Sequence, residues 1–176
     1  VIIGHGDIAT ALESADRKDL LFFASGVSNS REERYTEFKR EIDLLRAQDP
    51  EVHTVYFSSL CIFYADSHYA FHKQQMEQIV KHRFKKYTII RLGNITWGTN
   101  PHTIINYFRN RIKRNQRIDI KDVYRYIIDK DEFLYWITMI PDFSCEMNIT
   151  GKRMLVKDIV KEYCGDLLPI YANANA

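Results

Sequence analysis

The chain has 176 residues, 45% of them hydrophobic and 27% charged, the balance of an ordinary globular protein with a sizeable core. A formal charge of +2 offers no footprint for nucleic acid or a membrane surface, and no apolar run approaches the roughly 20 residues that span a bilayer. Three cysteines, Cys61, Cys145 and Cys164, are widely spaced and odd in number, which argues against a disulfide framework or a CxxC zinc site; with no basic n-region and apolar stretch in the opening VIIGHG, the reading is of a cytoplasmic protein.

In chain order, Val1–Ile3 is a short apolar run that ends at Gly4, as a buried strand does. Ile8, Ala11, Leu12 and Ala15 recur at helical spacing. Leu20–Ala24 (LLFFA) is a second apolar run. Arg31–Gln48 reads as an amphipathic helix carrying Tyr35, Phe38, Ile42 and Leu45 and stopped near Pro50, and Val52–Phe57 as a strand running into Ser58–Ser59. A long helix over Ser67–Phe84 and a β-branched strand at Tyr87–Leu92 follow. Helices are predicted at Ile104–Lys113 and Asp131–Ile140, a last strand at Met147–Ile149, and a helix from Val156 to Tyr163. The βαβαβαβ order predicts an α/β fold with a mainly parallel sheet, flanking helices and right-handed connections. Residues 1–170 are expected to form one domain, with 95–145 as a small substrate-region segment and 171–176 as a disordered tail.

Two local patterns carry chemistry. Gly4-His5-Gly6-Asp7-Ile8-Ala9 is GxGxxA between a strand and a helix, where glycine permits a tight turn and close approach of a ligand. The helix start offers free N–H groups to a pyrophosphate. Gly4, Gly6, Asp7 and Ile8, with Ala24 and Ser25 at the next strand's tip, are therefore the cofactor-binding candidates of a Rossmann-like domain; a plain βα turn is the other reading. Asp7 is poorly suited to face phosphate but suits a helix cap. No acidic residue follows the second strand until Glu32, so the group that holds an adenosine ribose is missing and NAD cannot be told from NADP.

The second pattern is Tyr69-Ala70-Phe71-His72-Lys73, a YxxxK whose phenol and ammonium share a helix face. A nearby cation is expected to lower the phenol's pKa from about 10 and make it a workable acid or base. Ser59, at the preceding strand's end, would bond a substrate oxygen beside it.

With these residues in place the sequence resembles the extended short-chain dehydrogenase/reductase family, the NAD-dependent epimerases and dehydratases of nucleotide sugars. VYFSSLCIFY is similar to its strand ending in Ser-Ser, YAFHKQQME to its YxxxK followed by Glu, TIIRLGNITWGTNP to its Arg-x-x-Asn-x-x-Gly-Pro segment, YRYIIDKDEFLYWI to the start of its substrate region, and MNITGKRMLVKDIVKEY to its late strand–glycine–helix passage. The resemblance implies Ser59, Tyr69 and Lys73 as catalytic residues. In it Ser59 polarises the substrate oxygen, Tyr69 exchanges the proton, Lys73 holds the nicotinamide ribose, and Asn94 lies close to a sugar or nucleotide-sugar substrate. It also implies NAD or NADP as cofactor. Departures are informative: Leu60 and Cys61 stand where dehydratases carry Asp-Glu, Tyr64 replaces a glycine, and the family's second and third strands are absent.

Other features have plainer readings. His68 and His72 sit four apart but lack a third ligand, so no metal is expected and both are read as surface or loosely packed imidazoles. Arg109, Arg111 and Lys113 lie in the densest basic run, either a solvated helix face or a phosphate grip. Trp97 is a candidate pocket wall. Two functions stay open: an NAD(P)-dependent oxidoreductase or epimerase, or a shortened, non-catalytic relative that binds a nucleotide or a protein partner. An exposed first strand predicts a homo-oligomer in either case.

Overall fold

The computed structural model describes residues 1–15 and 17–168; the expected tail, 171–176, lies outside them. In chain order the elements are β1 (Ile2–Ile3), α1 (Asp7–Leu12), β2 (Leu21–Phe23), α2 (Tyr35–Arg46) and β3 (Thr54–Ser59), which runs into a 3₁₀ turn at Leu60–Phe63. Then come α3 (His68–Arg83), β4 (Tyr87–Leu92), β5 (Asn94–Ile95), α4 (Ile104–Lys113) and β6 (Tyr124–Ile128). The last are α5 (Lys130–Thr138), β7 (Cys145–Ile149), β8 (Lys152–Leu155) and α6 (Val156–Cys164). β1, β2, β3, β4 and β7 pair in that order, all parallel, giving the expected Rossmann-like α/β sheet flanked by helices.

Burial on both faces explains why these strands read as unbroken apolar runs. Side chains alternate: Phe22, Val55, Phe57, Ile90 and Leu92 pack with α1 and α5, while Leu21, Phe23, Tyr56 and Ile89 pack with α2 and α3 through Leu45, Met76 and Val80. Fully burying each large apolar side chain contributes about 1.5–3 kcal/mol. Ser59 pairs with Leu92 at the carboxyl ends of their strands, the end of an open α/β sheet where ligand crevices form.

The expectation of uniformly right-handed connections is corrected. β1, β2, β3 and β4 advance in one direction across the sheet, yet α1 packs on one face and α2 and α3 on the other. The β1–α1–β2 connection therefore has the opposite hand to the two that follow. The handedness rule arises from a twisted strand feeding a helix back onto its sheet; a two-residue β1 carries little twist to enforce it.

Between residues 95 and 145 the sequence predicts only helices; the structure adds strands there and just beyond. β5 pairs parallel and β8 antiparallel with β6, a second sheet packed against α4 and α6 through Ile105, Ile127 and Ile159. β5 has two residues, and YRYII and KRML mix charge into short runs, so none carries a clear period. Helix α2 begins at Tyr35 rather than Arg31 because Glu32 Oε1 accepts from the Arg34 backbone N–H at 3.0 Å and from its Nε at 2.8 Å, closing a turn ahead of the helix. Among the described residues no helix is long and apolar enough to cross a membrane.

Candidate active-site cleft

The strand tips and the loops after them enclose a cleft of about 770 Å³, within the usual range for small-molecule sites. Its walls include Gly6, Asp7 and Ile8 from the glycine turn, Ala24 and Ser25 after β2, Ser59 at the end of β3, Tyr69 and Lys73 from α3, and Asn94 from β5. Tyr69 and Lys73 reach it together because Ser67 caps α3, its Oγ accepting from the Ala70 N–H at 3.1 Å, and one helical turn separates the two side chains. The Ser59 hydroxyl accepts from the Cys61 N–H at 3.2 Å. The Asn94 amide donates to the Tyr126 carbonyl at 3.0 Å, which joins β5 to β6 beneath the cleft.

The electrostatics differ from the sequence reading. Lys73 is 2% exposed and its ammonium is already engaged, donating to Glu41 Oε1 and to Tyr56 Oη, both at 3.0 Å. Glu41 is fully buried and accepts four donors: Lys73, the Tyr56 hydroxyl at 2.7 Å, the Val27 N–H at 2.7 Å and His72 Nε2 at 3.0 Å. Burial alone would raise its pKa, but Lys73 and these hydrogen bonds outweigh burial and hold the carboxyl at about 2. The ammonium is thus compensated where it stands. Tyr69 is pushed well above its ordinary range, first by burial and then by Cys61 and Glu41, with the Ser59 hydrogen bond pulling the other way. The expectation that Lys73 lowers the phenol's pKa is overturned: burial raises it, Cys61 and Glu41 add to the rise, and the Lys73 charge is paired with Glu41.

Gly4, Trp97 and the basic run of α4 fall outside the cleft. Gly4 lies behind it with φ of 131°, pressed so closely on the Ala24 backbone that no side chain fits. Trp97 also does not line it; the half-buried indole packs against Phe133, ring centroids 5.2 Å apart and tilted, and donates to the Asp7 carbonyl at 3.2 Å. Asp7 does not cap its own helix. Its carboxylate accepts from the Thr99 and Asn100 N–H groups, both at 3.0 Å, clipping the loop after β5 onto the glycine turn, with Gly98 (φ of 89°) packed against it. Arg109 bonds the Tyr163 carbonyl and Asp166, Arg111 bonds the Arg117 carbonyl, and neither they nor Lys113 reach the cleft.

His72 is not a surface imidazole: it is 2% exposed, stacked on Phe38 at 4.5 Å and bonded to Glu41. Because a carboxylate only accepts, Nε2 carries the proton, and Nδ1 has no partner among the described residues. Among the described residues no three His, Cys, Asp or Glu side chains group closely enough to hold a metal ion. The residue that sequence reasoning missed is Glu41. Its signal was present, since it lies three residues after Phe38 and four before Leu45, a carboxylate inside the apolar stripe of α2. Tyr56 left no such mark in an apolar strand.

No family model matches the chain, and no curated protein matches it. Solved structures share its fold. The enzyme WbmG of Bordetella bronchiseptica, in complex with NAD, has a TM-score of 0.61 at 16% identity, over 89% of this chain and 59% of WbmG. The UDP-glucose 4-epimerase of Thermus thermophilus, in complex with NAD, has a TM-score of 0.62 at 13% identity, over 90% and 64%. The UDP-N-acetylglucosamine 4-epimerase of Methanobrevibacter ruminantium, in complex with UDP-N-acetylmuramic acid, has a TM-score of 0.57 at 15% identity, over 86% and 63%. The chain spans about three fifths of the length of these structures, and the likeness establishes a common fold.

Proposed function

We propose that the cleft belongs to an NAD(P)-dependent oxidoreductase or epimerase of the short-chain type that acts on a sugar or nucleotide sugar, with Tyr69 exchanging the proton of the substrate oxygen. The observation that carries the reading is convergence: Ser59, Tyr69, Lys73 and Asn94 face one cleft that also begins at the glycine turn. Solved structures of the same fold hold NAD, which supports the cofactor assignment. Ser59 and Tyr69 would grip the substrate oxygen, and Asn94 would sit beside the substrate. When bound, a nicotinamide supplies hydride chemistry that no side chain here can.

The residues fit the two halves of a dinucleotide unequally. The hydroxyls and Lys73 suit the nicotinamide end. At the other end β1 pairs only with β2 among the described residues, leaving no further strand to carry an adenosine, and the Asp7 carboxylate stands at the glycine turn where a pyrophosphate would lie. Weak cofactor affinity follows from that geometry. Pairing of a second copy along the open edge of β1 would extend the sheet, so we also propose a homo-oligomer.

Fluorescence titration with NADH and NADPH tests the reading. A Cβ on Gly6 would meet nothing within 4 Å, so Gly6→Trp fills the cleft without disturbing the backbone. Saturable binding abolished by that variant is the expected result. Silence of both cofactors at millimolar concentration would instead favour the second reading, a non-catalytic nucleotide or protein binder. That reading draws on one specific observation, the capture of Lys73 by a buried carboxylate.

A further inference from the structure

The electrostatic partner of the YxxxK pair lies on another helix. Glu41 approaches from α2, is fully buried, and takes the Lys73 ammonium at 3.0 Å, while Lys73 Nζ stays 5.7 Å from the centroid of the Tyr69 ring. The geometry is tightly enclosed. A Cβ on Gly26 would come within 2.7 Å of Lys73 Nζ and 3.0 Å of Glu41 Oε1, so the backbone after β2 seals the ion pair from above. Below it, Tyr56 Oη is shared between the two charges at 2.7 and 3.0 Å. Lys73 therefore cannot swing toward the phenol without leaving a buried carboxylate alone, a costly state.

We infer that Glu41 is a positioning residue that holds Tyr69 as a hydrogen-bond donor, so that the cleft accepts the carbonyl oxygen of a keto sugar or aldehyde in preference to a hydroxyl. Two hydroxyls, Ser59 and Tyr69, then both donate to one acceptor oxygen, the arrangement that polarises a carbonyl. A substrate hydroxyl would instead need one partner to receive its proton, and a phenol whose neighbouring ammonium is neutralised is a poor receiver. Burial raises the Tyr69 pKa most; Cys61 and Tyr64 from the turn after β3 and Glu41 from α2 add to it, Ser59 from β3 lowers it, and the Lys73 charge on its own helix is offset by Glu41. The inference rests on the proposed role of Tyr69 at the substrate oxygen and narrows it to a phenol that meets that oxygen in its neutral, hydrogen-bond-donating form.

The phenol can be titrated in the free protein, with no cofactor or substrate. The phenolate absorbance of the full chain is followed from pH 6 to 11, and the Tyr69→Phe trace is subtracted to isolate one tyrosine. Tyr69 is expected to remain neutral past pH 10 in the wild type; ionisation at or below pH 10 overturns the inference. In Glu41→Gln, also measured against its own Tyr69→Phe partner, the Tyr69 phenolate signal at pH 11 should rise at least tenfold. A folded Glu41→Gln protein with an unchanged phenolate signal at pH 11 overturns the inference too, since a purely structural Glu41 would leave the phenol alone. Should that variant fail to fold, the wild-type titration decides. Failure of NADH to bind would sink the functional reading and leave this titration intact, so the two failures are distinguishable.

Discussion

Replacing Glu41 by alanine should be among the most damaging single substitutions in the chain. The carboxylate is fully buried and satisfies four donors, so its loss leaves the Lys73 ammonium with Tyr56 alone and strands the Val27 N–H and His72 Nε2. Stranding one member of a buried ion pair costs about 3–5 kcal/mol. A buried donor left without an acceptor costs about 1–3 kcal/mol. These losses do not add, because the groups share one hydrogen-bonded network; about 3–5 kcal/mol is the expected total. Against a whole stability of about 5–15 kcal/mol that is a large share. At about 2–4 °C per kcal/mol for a domain of this size, the melting temperature should drop by about 6–20 °C. Urea unfolding of the full chain, followed by circular dichroism, measures the loss directly. A double Glu41→Met, Lys73→Met variant removes both charges at similar volume and should recover more than about 1 kcal/mol of it. If Glu41→Ala unfolds within about 1 kcal/mol of the wild type, the carboxylate and ammonium are not a buried pair, and the Lys73 charge at the cleft is not compensated by Glu41.

Three further outcomes are expected. Gly26→Ala should destabilise by about 1–3 kcal/mol, because its methyl would meet a lysine nitrogen and a carboxylate that are both locked; a melting temperature equal to the wild type's would show that the pair can move. Glu41 sits at about 2 when folded against an ordinary 4.5, a depressed carboxylate, so its stabilisation is complete above about pH 4.5 and is lost as pH falls toward 2. The difference between wild type and Glu41→Gln in urea stability should therefore shrink across that window, and a pH-independent difference would contradict it. Asp7→Ala removes the acceptor of two loop N–H groups; faster hydrogen exchange at Thr99 and Asn100 with a stability loss of about 1–2 kcal/mol is expected, and unchanged exchange there would mean the clip is not formed.

Much of the fold was legible because its signals are local. Leu20–Ala24 and Tyr87–Leu92 are apolar runs that only a sheet covered on both faces can bury, and Ile104–Lys113 keeps a helical period from end to end, with bounds that the structure reproduces. The YxxxK spacing alone dictates that Tyr69 and Lys73 share a face, since a helix repeats every 3.6 residues wherever it packs. Short strands without a period, β5, β6 and β8, had no such signal; pairing defines them, and pairing is non-local.

What the tertiary structure alone decided is where charge and chain direction end up. Lys73 was legible as a cation near a phenol, but its neutralisation depends on Glu41, 32 residues earlier in the chain and on a different helix. Asp7 could be read only as a helix-start residue; its real partners, Thr99 and Asn100, come from a loop 92 and 93 residues away. The hand of the β1–α1–β2 connection likewise follows from which sheet face α1 covers. The physical reason is common to all three. Periodicity and turn chemistry act between neighbours along the chain, whereas the strength and sign of an electrostatic effect depend on every group within a few ångströms, and folding chooses those groups.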